Sequence, residues 1–469
     1  MSRIKRILPS RAASSVRPLC PLWLTSLSKT FLLALLTLPA GCALHPKGEG
    51  AERERAAEAG KPFEKAFHER ELPPLADDAP WQEFLRHAFL ASGELEERYW
   101  EWRAAIEDVP IQASPRTTAA FFFNHLLNGS SSTFWDRTTV AVGNDPMFNL
   151  PWPGKLATAG RLALEKARAA GLRFEKAKFD LQAEVIEEYS EWALLAERIR
   201  IAEANLALLD IVARVADANV RSGSSPHQDI LKAQTERDLA GNELETLRSR
   251  LAGARAKLNA LIGRPPDAPL APPASPPAPR RLAYGEGELL LLMAERNPEL
   301  AELAREAEAK REGIHLAKLE FIPDFSVSAS TDLGGAAQTI AGMITAPVLR
   351  YEALRAGLVQ ARAELRALDA RRRQAGNDLV AAVIADFQGL RNIERQASIF
   401  AERILPRTEA IVETTRSSYA AGRASLIDLL DGQRTRLDIR AMFAELRAER
   451  EKLLARLEAR AAVDIESKT

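Results

Sequence analysis

Asp428 and Asp431, spaced i, i+3, share one face of the helix that follows Gly422. Carboxylates so placed have two uses. At a helix start they complement the macrodipole; repeated around an axis of identical copies they narrow a pore, repel anions and concentrate cations. The positions 199 residues earlier are Asp229 and Lys232, so any acidic ring would belong to the later pair. Catalytic constellations are missing from the sequence. His45, His68, His87, His125, His227 and His315 show no metal-ligand spacing and none neighbours a cysteine. Gly154-Lys155 lacks the upstream glycine of a phosphate loop, and no nucleophile elbow is present. The many remaining carboxylates read as solvated, internally paired helix faces. The expectation is a protein that is not an enzyme, with no catalytic residue, no cofactor and no metal site.

The 469 residues carry 64 Lys+Arg against 64 Asp+Glu, but the basic charge is unevenly placed. Arg3, Lys5, Arg6, Arg11, Arg17 and Lys29 precede the apolar run 30–38, with no acid before residue 42. A basic stretch, a short apolar run and the small residues Ala40 and Gly41 form a secretory signal, so 1–41 is set apart from the fold. Leu38-Pro39-Ala40-Gly41-Cys42 resembles a bacterial lipobox, departing from it at Pro39 and implying a lipidated Cys42. Removing the six basic residues leaves 58 against 64, a net charge of −6, and with it no electrostatic footprint for nucleic acid. Of the two cysteines only Cys42 would remain, so no intramolecular disulfide can form.

Aromatics are only 6% of the chain, the bias of long helices rather than of a β-sandwich. The pattern occurs twice. An offset of 199 pairs Gly223 with Gly422, Asp229 with Asp428, Gln234 with Gln433, Arg237 with Arg436 and Leu258 with Leu457. An offset of 198 pairs Leu181 with Leu379, Val185 with Val383 and Tyr189 with Phe387, and Glu94-Leu95 answers Glu299-Leu300. Each half predicts a helix (81–108; 298–319), two extended segments (117–124 and 137–149; 325–331 and 338–348), a very long helix (157–221; 351–420) and a second helix running back. At 1.5 Å per residue the long helices would reach ~95 to 105 Å. Leu244, Leu247, Leu251, Ala254, Leu258 and Leu261 form a coiled-coil seam, and Gly223 and Gly422 sit where each hairpin must reverse.

Phe325, Val327, Ala329 and Thr331 alternate with Ser326, Ser328 and Ser330. One face apolar and one small and hydroxylic suits a half-buried hairpin, or a barrel strand with lipid outside and water inside. Four strands per chain are too few to close a barrel, so closure would need several copies. The expected organisation is a signal at 1–41, a loosely ordered tail at 42–80 with one short helix, a first repeat at 81–263, a Pro-rich linker at 264–283, a second repeat at 284–462 and a tail at 463–469. The fold class is mainly α with a small β part.

The duplicated plan, Asn297-Pro298-Glu299-Leu300, Pro323-Asp324-Phe325-Ser326-Val327-Ser328, and the run from Ser418-Tyr419-Ala420-Ala421-Gly422-Arg423 to Asp428-Leu429-Leu430-Asp431 together resemble TolC-like outer-membrane efflux proteins over 81–462. Leu150-Pro151-Trp152-Pro153-Gly154-Lys155 resembles the strand-to-helix entry of their heavy-metal, CzcC-like branch. The resemblance implies a homotrimer with a twelve-strand barrel in outer-membrane lipid and a helical tunnel in the periplasm. It further implies a periplasmic adaptor protein and an inner-membrane pump as partners. Asp428 and Asp431 match its periplasmic constriction, and Gly223, Ser224, Gly422 and Arg423 match the hairpin tips that meet the adaptor; as bare sequence the two glycines are also ordinary helix ends. The expected function is an outer-membrane conduit for efflux, with divalent metal ions as cargo in the CzcC-like case. Drug efflux and type I secretion are the alternatives within transport. A periplasmic adaptor would show one hairpin beside a lipoyl-like β module, and a structural coiled coil would have no use for the alternating strands.

Overall fold

The computed structural model describes residues 44–466, apart from 77–78, 117–118, 128–132, 136, 145–149, 224–225, 274, 334–337 and 422. The expected signal at 1–41, Cys42, Ser224 and Gly422 lie outside the described residues.

The first repeat comprises α2 (Trp81–Ala91), α3 (Gly93–Ala113), β1 (Ala119–His125), β2 (Thr138–Asn144), α4 (Pro153–Arg221) and α5 (Gln228–Leu261), with α1 (Glu49–Gly60) ahead of it. The second comprises α6 (Glu286–Arg296), α7 (Pro298–Leu319), β3 (Asp324–Asp332), β4 (Gln338–Thr345), α8 (Tyr351–Ile399), α9 (Leu405–Ala420) and α10 (Leu426–Ala461). The duplication reaches individual side chains. Ser92 and Asn297, 205 apart, cap α3 and α7 by accepting from the backbone N–H of Leu95 (3.3 Å) and Leu300 (3.0 Å). Val185 and Val383, and Leu258 and Leu457, are all fully buried.

Two helices differ from the sequence expectation for local reasons. The helix expected at 81–108 is broken at Ser92, whose extended backbone (φ −66°, ψ 120°) lets it cap the next segment, and α3 then runs on to Ala113. The rod expected at 351–420 contains a π-helical turn at Phe400–Ile404. Pro406 follows it, and having no N–H to offer Glu402, it forces the helix to widen there.

The 69-residue α4, ~104 Å long at 1.5 Å per residue, is the spine against which α3, α5, α7 and α10 pack. Its upper part shares an aromatic core with α2 and α3, formed by Phe84, Tyr99, Trp102, Phe174, Tyr189 and Trp192. The predicted seam of α5 closes this core through Leu247, Ala254 and Leu258. A second, aliphatic core joins α6, α8 and α10 through Leu289, Met293, Val383, Leu390, Leu454 and Leu457.

The segment after residue 43, expected as a loose tail, is docked. Ala56 and Phe63 enter the first core, Phe63 lying 5.3 Å from Tyr99 and 6.4 Å from Phe174, ring centre to ring centre. Trp102 Nε1 donates to Glu52 (2.9 Å), and Arg70 pairs with Glu96 at 2.6 Å. A few apolar anchors among many charges suffice because α3 and α4 leave a groove for them; a Cβ on Gly171 would stand only 2.8 Å from the Trp102 ring. The Pro-rich linker is likewise strapped down. Arg280, almost fully buried, stacks 5.3 Å above Trp81 and donates to Glu451 (3.1 Å) and Glu458 (2.8 Å) on one face of α10. Burial pushes the Glu458 carboxyl above its usual range, against the pull of Arg280. One cation thus ties the first repeat, the linker and the second repeat together.

Candidate functional site, a two-faced sheet above paired hairpin tips

The four strands form one antiparallel sheet in the order β1-β2-β3-β4, so the hairpins of the two repeats join at β2 and β3. The register decides which side chains share a face. Phe121 pairs with Val142, Val142 with Ala329 and Ala329 with Ile340; Phe123 pairs with Val140 and Phe325 with Ile344. All of these lie on one side. Ala120 and Gly143, Ala141 and Ser330, Ser328 and Ala341, and Ser330 and Thr339 pair on the other. One face is therefore Phe, Val and Ile, and the other mostly Ser, Ala, Thr and Gly, with Phe122 and Met343 as its large members.

Among the described residues neither face is packed against the rest of the chain. Phe121 is 66% exposed, Phe123 68%, Ile340 84% and Ile344 76%, and every residue of β4 is exposed. An isolated sheet with a bare apolar face is not stable in water. Among the described residues β1 and β4 each have one unpaired edge, a row of backbone donors and acceptors that demands a partner.

The two ends of the sheet carry aromatic groups. Beyond the β1–β2 end stand Leu126, Leu127, Phe134 and Trp135, all exposed. At the helical end stand Trp152, against Phe325 at 6.4 Å, and Tyr351, against Phe321 at 6.0 Å. The nine residues of β3 span about 30 Å along the strand at ~3.4 Å each, or about 23 Å of height at the ~40° tilt usual in membrane barrels. Among the described residues no helix is long and apolar enough to cross a membrane.

The segment 150–155 forms the elbow between the sheet and α4. Leu150 bridges Phe325 by two backbone hydrogen bonds (2.7 and 3.1 Å). Asp324 then accepts from Lys155 Nζ (2.8 Å) and from the Trp152 backbone N–H (3.3 Å). The prolines start α4 where their missing N–H costs nothing, and the nearly buried Lys155 locks the exit of the first β-hairpin to the entry of the second.

At the far end the reversals lie side by side. Val212 and Ala216 of α4, Ala233 of α5, and Leu426 and Leu429 of α10 bury one another, with Tyr419 of α9 beside them. Gly223 turns the first tip with φ +73°, a left-handed conformation that suits glycine, and its N–H donates to Val220 O (3.0 Å). At the second tip the exposed Arg423 donates its N–H to Ser418 O (2.8 Å).

Asp428 sits in a capping box at the start of α10. Ser425 donates to Asp428 Oδ2 from its backbone N–H (2.9 Å) and its hydroxyl (2.7 Å), and the Asp428 N–H donates back to Ser425 Oγ (3.2 Å). The Ser425 hydroxyl, then its N–H, hold the Asp428 carboxyl below the usual range, so it is ionised at neutral pH. Asp431, one turn on and exposed, lines a cleft with Lys232, Glu236 and Arg434. Its counterpart from the first repeat, Lys232, thus shares its cleft. Both aspartates face solvent at the tip, and Asp428 has the helix-capping role as well. Among the described residues no group of three or more His, Cys, Asp and Glu gathers as a metal site.

Sequence reasoning missed Arg280 with its two glutamates and the paired aromatic ends of the sheet. The alternation at 325–331 points to the two faces, whereas Phe121-Phe122-Phe123 obscures them in β1.

The model of the outer membrane efflux protein family matches residues 147–264 and 289–462. The pyoverdine export outer membrane protein OpmQ of Pseudomonas putida is 24% identical over 330 residues, 66% of this chain and 68% of that protein. CusC, whose structures address folding and transmembrane channel formation, superposes with a TM-score of 0.70 at 17% identity over 86% of this chain and 97% of its own. The open state of the Neisseria gonorrhoeae MtrE outer membrane channel superposes with a TM-score of 0.68 at 18% identity, covering 83% and 91%.

Proposed function

The chain belongs to the outer membrane efflux protein family, and we propose that it is the outer-membrane channel of a tripartite efflux system, working as a homotrimer. The observation that carries this reading is the sheet: two exposed faces of opposite character and two unpaired edges. Three copies would join β4 of one to β1 of the next and supply twelve strands. About eight strands make a barrel filled by its own side chains, so twelve leave a water-filled lumen. The Phe, Val and Ile face then meets lipid and the Ser, Ala and Thr face meets water.

Below the sheet the long hairpins continue the conduit through the periplasm. Gly223, Ser224, Gly422 and Arg423 at their tips receive the adaptor protein, which links the channel to an inner-membrane pump. Cys42 carries the lipid anchor. In support, the Leu44 N–H donates to Ala113 O (3.3 Å), which places the start of the described chain near the sheet end of α3.

Asp428 and Asp431 form the gate. Six carboxylates around the threefold axis would hold back anions and admit cations, and the open carboxylates at the tip support this assignment. The cargo we assign is a divalent metal cation, on the resemblance of 150–155 to the heavy-metal branch. The relative named for pyoverdine export favours a second reading, in which the cargo is pyoverdine. In planar bilayers, Asp428→Ala combined with Asp431→Ala should raise single-channel conductance and weaken block by multivalent cations. Unchanged conductance and block would remove these residues from the pore. Deletion of the gene separates the cargoes, through sensitivity to metal salts or loss of pyoverdine export.

A further inference from the structure

Within one chain the helices below the sheet follow the order of the strands. α3 enters β1, α4 leaves β2, α7 enters β3 and α8 leaves β4, and contacts run from α3 to α4, from α4 to α7 and from α7 to α8. The helical layer therefore ends on two open edges, α3 and α8, as the sheet ends on β1 and β4.

The contact between repeats, α4 against α7, is a seam of ion pairs. Arg173 forks between Glu302 (2.6 Å) and Glu306, Arg161 meets Glu312 at 3.1 Å and Lys176 lies 3.8 Å from Glu299. The duplication carries this seam onto the open edges. The long helices are related by 198 residues and the short ones by 205, so Arg173 corresponds to Arg371, and Glu302 and Glu306 correspond to Glu97 and Glu101. All three positions keep their residue type.

Inside the chain these counterparts have no such fork. Arg371 and Glu97 are exposed and have no ion pair within 4 Å among the described residues, while Glu101 meets Arg98 of its own helix at 2.9 Å. The same edges expose apolar groups at matching levels. Val359, the counterpart of Arg161, is 57% exposed on α8, and on α3 Ile111 is 65% exposed, one turn beyond Glu107, the counterpart of Glu312. Trp100 on α3 is 49% exposed.

We propose that α3 of one copy packs along α8 of the next, and that Arg371 forks between Glu97 and Glu101 of its neighbour as Arg173 forks between Glu302 and Glu306 within the chain. The partner is a second copy of this chain, and the inference rests on the reading of the protein as a ring of copies. Around the ring, unlike seams would alternate: one inside each chain, preformed on folding, and one between chains, formed on assembly. A planar guanidinium between two carboxylates fixes the sliding register of two helices as a single point charge does not, and this register must match the pairing of β4 with β1.

The test uses the full chain in detergent. With Arg371→Cys and Glu97→Cys together, a flexible bis-maleimide reagent should give covalent dimers and trimers on a denaturing gel, while each single variant gives neither. Arg371→Glu should lower the temperature at which the oligomer dissociates, with a larger shift at low ionic strength, and adding Glu97→Arg should recover most of the loss. If wild-type protein runs as a single chain, the ring reading itself fails. If the wild type is a trimer but the double-cysteine variant does not cross-link and Arg371→Glu dissociates at the wild-type temperature, the fork is overturned while the channel stands.

Discussion

Ile340 and Ala341 are consecutive in β4 and point to opposite sides of the sheet, which makes them a matched pair for testing its environment. Ile340 pairs with Ala329 and Ala341 with Ser328, the sixth and fifth of the nine residues of β3, so both lie near the middle of its height. Ile340 is 84% exposed on the chain alone. In water, replacing such a residue by arginine would change stability by no more than ~0.5 kcal/mol. Facing lipid near the midplane, the same change costs about 2–4 kcal/mol per chain. At ~1.36 kcal/mol per tenfold, that is roughly 30- to 1,000-fold in the folded fraction. Ala341→Arg places the same side chain in the water-filled lumen, where no lipid penalty arises. Refolding each variant into phospholipid vesicles across a urea series should give a midpoint clearly lower for Ile340→Arg than for Ala341→Arg. Equal midpoints, or the larger loss at Ala341, would refute the assignment of the two faces.

Three further outcomes follow from the helical part. Arg280→Ala leaves the buried Glu458 carboxylate without its cation and Glu451 with Arg450 alone, a loss of about 3–5 kcal/mol that thermal unfolding should register. Glu458→Gln should cost less, because burial already holds that carboxyl above its usual range. The docked segment at 49–70 should loosen in acid. Glu96 is held below the usual carboxylate range chiefly by its hydrogen bond from Arg70, and Glu107 by that from Arg53. Groups depressed on folding add stability that is complete above the unfolded value of about 4.3 and is lost as pH falls through the folded one. Hydrogen-exchange protection of α1 should therefore be high at neutral pH and fall below the ordinary carboxylate range; protection that persists there would assign the docking to Phe63 and Ala56 alone.

Long periodic helices and the tandem repeat were legible because heptad spacing and the offsets of 198 and 199 are local, countable properties. Val185 and Val383 could be paired before either was known to be buried. The register of the sheet was only partly legible: Phe325 to Thr331 alternates cleanly, but Phe121, Phe122 and Phe123 are apolar on both sides, and pairing alone sorts them. The docking of the segment after residue 43 was hidden because its net composition is polar, while its stability comes from two apolar anchors in a groove built by α3 and α4 and from long-range pairs such as Arg70 with Glu96. The docking of the linker was hidden for the same reason, since it rests on scattered anchors, Leu270 in the first core and Arg280 between its two glutamates. At the tip, spacing put Asp428 and Asp431 on one helix face, but the bond from Ser425 that caps the helix through Asp428 depends on the turn before it.

The bare sheet and its two open edges call for copies of the chain to close a ring in the membrane. Native mass measurement of the protein extracted from outer membranes in mild detergent tests this most directly. Three chains in one particle, released only by detergent, is the expected result, and a single chain that stays soluble without detergent would contradict it.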